Sequence, residues 1–149
     1  MLGALIPKER ALTDPKAMSD EQFLAAFLDS SMPPDGFDHL CHMRAAWLLL
    51  QRRPLEGAVA DTCRAISRLA IRLGVPGKYN RTLTEAMVRL MAHGGGADPA
   101  LSWRKFLASN AELVKDSRGV LARHYSEDLL NSQAAREEFL PPDRLPLPS

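Results

Sequence analysis

The chain's 149 residues include 46% hydrophobic and 25% charged side chains, and its formal net charge is +1. That length suits one folded unit able to bury a core without disulfide or metal staples. The near-balanced charge argues against a nucleic-acid partner, which usually calls for a clear basic excess.

The apolar start Leu2 to Ile6 is broken by Pro7, Lys8, Glu9 and Arg10 before it reaches signal-peptide length, and no run approaches a membrane span. The expectation is therefore a cytoplasmic protein with no membrane partner. Cys41 and Cys63 fall inside apolar helical patterns and form no C-x-x-C pair. They read as buried free thiols, which suits a reducing compartment.

Residues 1–18 read as an irregular arm, 19–139 as a single helical domain and 140–149, with four prolines, as an extended tail. Ser19 and Gln22 form a capping box that opens the first helix, with Phe23, Ala26 and Phe27 on one stripe. A loop over Ser30–Gly36 leads to a second helix from about Asp38 to Arg52. Its core face is Leu40, Met43, Trp47 and Leu50, and it is apolar almost all round, as a central helix would be. Pro54 suits the first turn of a third helix that runs to about Leu73, with Gly74 as its C-terminal cap. Thr82 and Glu85 make a second capping box for a fourth helix, which Gly94–Gly96 ends in a flexible turn. Asp98 and Pro99 read as the cap and first position of a fifth helix, with Trp103, Phe106 and Leu107 inward. Brief helices follow to Phe139, with caps near Asn110 and Ser132. The fold class is all-α, an irregular or orthogonal bundle of about five main helices plus short C-terminal ones.

Two segments concentrate candidate chemistry. His39 and His42 lie three apart on one helix, so both face the same side. The spacing suits two imidazole ligands to one transition-metal ion, and equally a polar helix edge or a hydrogen-bonded core pair. Lys78, Tyr79, Asn80, Thr82 and Thr84 gather hydroxyls, an amide and a cation where free backbone N–H groups begin a helix. They read either as a pocket wall for a polar or anionic ligand or as a loop that caps its helix. Arg44, on a mostly apolar helix, needs a carboxylate or a ligand to justify burial. Arg64, Arg68 and Arg72 read as a solvated face.

Phe37–Trp47 followed by Gly77–Thr84, with Arg123–Tyr125 and Phe139–Arg144 near the end, resembles a family of small uncharacterised bacterial helical proteins. Its pattern is F-x-H-x-x-H-x-R-x-A-W, then K-Y-H-x-T-x-T, and the resemblance spans most of residues 20–144. It implies functional positions but no activity. Where the pattern has its last His, this chain has Asn80, so three imidazoles become two plus an amide, a weaker set for zinc, copper or iron. His124, Glu85 or Cys41 would have to complete a metal site.

The functional expectation is a small helical ligand-pocket protein, a metal-dependent or histidine-based enzyme acting on a small polar molecule. In it His39, His42 and Tyr79 are catalytic, and Arg44, Lys78, Asn80, Thr82 and Thr84 bind the ligand. The alternative is a non-catalytic interaction module or homodimer, built on an apolar groove or the Pro-rich tail.

Overall fold

A computed structural model describes residues 14–148, so the expected arm lies mostly outside the described residues. Asp14 caps a 3-10 turn over Pro15–Ala17. Ser19 then opens α1 (Asp20–Leu28) through the expected reciprocal pair, its hydroxyl accepting from the Gln22 amide and the Gln22 side chain from the Ser19 amide.

Asp38 caps α2 (His39–Arg52), its carboxylate accepting from the Cys41 amide at 3.1 Å. This helix packs against α1, α3 and α4 and is the central element, with Ala45, Leu48 and Leu49 fully buried. Of the expected core face, Met43 and Leu50 are buried and only Leu40 departs. Leu40, in the first turn, is 40% exposed, and Ala45, Ala46 and Leu49 take the inner positions. Trp47 is half-buried and meets Trp103 at 5.4 Å between ring centroids.

Pro54 is the cap residue of α3 (Leu55–Arg72) rather than a position inside its first turn. Gly74, just beyond, has φ +75°, a left-handed conformation that closes the helix. Arg72 leaves the solvated face assigned to it and donates to the Ser30 and Met32 carbonyls.

The start of α4 (Arg81–Met91) corrects the second capping box. Asn80 is the cap, its Oδ1 accepting from the Leu83 amide at 2.9 Å, and Thr82 is already inside the helix. The glycine triplet is not a loose turn but a closely packed kink over Ala92–Gly96, in which Gly95 has φ +97°. The Asp98–Pro99 reading is also corrected. The Asp98 carboxylate is used by the Ala100 amide in a local turn, the turn is gripped by Gln51 through the Gly96 and Asp98 carbonyls, and Ser102 caps α5 (Trp103–Ser109).

Short helices complete the fold: α6 (Ala111–Lys115), α7 (Ser117–Ala122), α8 (Glu127–Leu130) and α9 (Gln133–Glu137). Ser132 caps α9 as expected, and Asn110 holds the expected cap position of α6, though its side-chain amide bonds the Gly94 and Phe106 carbonyls and not the helix start. The described residues are all-α, with no strand among them, and none of their helices is long and apolar enough to cross a membrane. The proline-rich tail is irregular, with bends at residues 143–145, and is docked on the helices. The Leu140 amide donates to Thr82 Oγ1, the Tyr125 hydroxyl to the Leu140 carbonyl, and the Arg144 amide to the His124 carbonyl.

Candidate ligand pocket

A cavity of about 410 Å³ opens between α2, α3, α4 and α7. Its walls are mainly apolar: Met43 and Ala46 from α2, Ile66 from α3, Leu83, Met87 and Met91 from α4, and Leu121 from α7. The polar groups along it are few. They are His39 and His42, Thr62, Thr84, Asp38, Ser117 and Arg118. A mainly apolar concavity with a small set of polar side chains is the usual character of a small-molecule site.

His42 is the best defined of these. Its Nδ1 lies 2.8 Å from the Asp38 carbonyl, and because a carbonyl only accepts, Nδ1 carries the proton. Nε2 is then the ring's acceptor, and no hydrogen bond within the described residues occupies it. The ring packs at 4.6 Å from Phe37. Burial pushes the His42 imidazole below its usual 6.5, against the opposing pull of the Asp38 backbone, so it is neutral at pH 7.

His39 is exposed and sits at the rim. Beside it, the Asp38 carboxylate lies 3.0 Å from Lys16 Nζ. That contact, with the Cys41 amide, holds its carboxyl down at about 2. The metal reading of the histidine pair finds no support in what surrounds it. Among the described residues no group of three or more His, Cys, Asp and Glu side chains is gathered to hold a metal. Each candidate third ligand is engaged elsewhere. His124 bonds the Leu145 carbonyl, Glu85 lies between Arg81 and Arg89, and the Cys41 thiol meets the Gly36 carbonyl while burial raises its pKa.

The remaining expected residues divide. Thr84 lines the cavity, but its hydroxyl donates to the Asn80 carbonyl at 2.8 Å. Tyr79 and Lys78 line a smaller adjoining groove of about 170 Å³, which shares Phe37, His42 and Ile66 with the main cavity. Burial and the neighbouring Cys63 thiol push the Tyr79 phenol well up, so it is a hydrogen-bond donor and not a base at neutral pH.

Asn80, Thr82 and Arg44 lie outside this cavity, with their side chains engaged in the fold. Asn80 spends its oxygen on the helix cap and its Nδ2 on the Leu130 carbonyl at 2.7 Å. Thr82, fully buried, donates to the Glu138 carbonyl at 2.8 Å and accepts from the Leu140 amide at 3.1 Å. Arg44 faces away from the cavity. It pairs with Asp20 at 2.8 Å, donates to the Met18 carbonyl at 3.0 Å and covers the Phe23 ring at 4.3 Å. The carboxylate partner that its burial required is thus Asp20.

Sequence reasoning missed Thr62. It is 1% exposed, lines the cavity, and its Oγ1 has no hydrogen-bond partner. The signal was present. Val59, Ile66 and Leu69 define the inner face of α3, and position 62 falls on that same face, so a hydroxyl there stands out among apolar neighbours.

Comparison with protein-family models, with curated proteins and with solved structures finds no match.

Proposed function

We propose that the protein binds a small, largely apolar molecule in the cavity between α2, α3, α4 and α7, with His42 as the polar contact able to accept a proton from it. The observation that carries this reading is the cavity itself, about 410 Å³ and lined by His39, His42 and Thr84 against methionine and aliphatic walls. That volume falls in the range of small-molecule pockets, roughly 300–1,000 Å³. A neutral imidazole with a free Nε2 is the form in which histidine serves as a general base. The likeness to the F-x-H-x-x-H pattern belongs to the same reading, since both of its histidines line the cavity. The docked tail weighs against a tail-mediated interaction module, because its backbone groups are already used within the fold.

Xenon provides the test, since it enters apolar cavities without needing a polar partner. In protein labelled with ¹³C at methionine methyls, xenon pressure is expected to shift Met43, Met87 and Met91, which line the cavity, and to leave Met18 and Met32 in place. Ala46→Leu, which fills the space from α2, should abolish the shifts. Equal shifts at all five methyls, or none, would overturn the proposal.

A further inference from the structure

Thr62 carries the inference. A threonine inside a helix ordinarily satisfies its hydroxyl on the carbonyl four residues back, as Thr84 does on Asn80 at 2.8 Å. Thr62 has the same option on α3 and does not use it. Leaving a buried hydroxyl unpaired costs about 1–3 kcal/mol, whereas a valine of the same shape at that position would carry no such penalty. The cavity beside it also presents the Nε2 acceptor of His42. The rest of its interior surface is largely methionine and aliphatic side chains.

A fully apolar occupant would leave both polar groups unsatisfied, and an ion would lose its hydration against apolar walls. A molecule with one hydroxyl on an apolar body satisfies Thr62 and carries no charge to desolvate. Its oxygen accepts from, or its proton is given to, the Thr62 hydroxyl. Thr62 Oγ1 is sealed from water in the unliganded cavity, so a ligand reaches it as the wall side chains shift. Met43 and Met87 are the residue type that repacks most readily.

We infer that the cavity takes a small apolar alcohol or phenol, with the hydroxyl seated on Thr62. This rests on the pocket reading above and adds the chemical class of the ligand.

The test compares p-cresol with p-xylene, which match in shape and differ by one hydroxyl. Affinities are read from methionine-methyl shifts in the full chain. In the wild type, p-cresol is expected to bind about threefold to tenfold more tightly than p-xylene, the worth of one net hydrogen bond. In Thr62→Val the preference should collapse to near unity while p-xylene affinity holds, and Thr62→Ser should retain it. If p-xylene binds at the methionines as well as p-cresol does in the wild type, the hydroxyl assignment is wrong and the pocket reading survives. A preference that persists in Thr62→Val overturns the hydroxyl assignment in the same way. If neither compound shifts the cavity methionines, both readings fail together. Should Thr62→Val not fold, the wild-type ratio and Thr62→Ser still decide.

Discussion

His42 shows how one backbone contact sets the chemistry of a side chain. The Asp38 carbonyl fixes the tautomer, burial lowers the pKa, and Nε2 is left free. A histidine whose folded pKa lies below 6.5 binds fewer protons folded than unfolded. The stability tied to neutral His42 is therefore fully present above about pH 6.5 and is lost as pH falls through the lower folded value. The Cε1 proton of His42 should titrate below the usual imidazole value of 6.5, and urea midpoints should drop more between pH 7.5 and pH 5 in the wild type than in His42→Phe. A midpoint change equal in the two proteins would show that His42 is not the group responsible. At this scale the sequence disclosed that both histidines share a side of α2 but not the direction of Arg44. That direction depends on Asp20, which lies on another helix and which no local pattern links to position 44. The role of Asn80 was hidden for a similar reason, since the Leu130 carbonyl that takes its amide lies on α8.

Among the elements, the turn after α4 is the most tightly specified. A Cβ at Gly96 would lie 2.8 Å from the Met91 carbonyl oxygen and 2.9 Å from Leu50, and one at Gly94 would collide with the Asn110 side chain. The backbone oxygen cannot retreat without undoing the kinked turn. Gly96→Ala is expected to destabilise by about 1–3 kcal/mol in urea denaturation, as an overpacked core substitution does. Gly77→Ala, where an added Cβ meets open space, should be neutral within error. Equal losses at the two positions would show that crowding is not what selects glycine at 96. Helix existence was legible because the apolar spacing of α1 to α4 is long and regular, and Ser19 and Ser132 could be named as caps from local sequence alone. The caps at Asn80 and Ser102 were missed because better-looking local motifs, Thr82 with Glu85 and Asp98 with Pro99, stood beside them. Those motifs lost to tertiary hydrogen bonds at Thr82 and Gln51.

For the whole described molecule, the tail acts as a strap across α4, α7 and α8. It ties Thr82, Arg123, His124, Tyr125 and Ser126 together through main-chain and side-chain bonds. Ending the chain after Glu138 removes the partner of the fully buried Tyr125 hydroxyl and one of the two partners of Thr82, the Leu140 amide, at once. The expected loss is roughly 2–4 kcal/mol, read as a lower urea midpoint. A truncated chain as stable as the full one would mean that the tail only rests on a fold complete without it. A proline-rich composition indicated a segment without helix, as residues 140–148 are. It could not indicate docking, because the Thr82 contacts join positions 56 and 58 residues apart.

The two cysteines acquire a further meaning from this architecture. Cys41 is sealed at the start of α2 against the Gly36 carbonyl, and Cys63 is 1% exposed in α3, near Tyr79 and Arg81. Burial raises the pKa of both thiols, so neither reacts while the helices are together. A thiol reagent can modify them only during moments of opening, which turns the pair into native clocks. One records how often the Asp38-capped end of α2 parts from its loop, and the other how often the α3–α4 seam breathes.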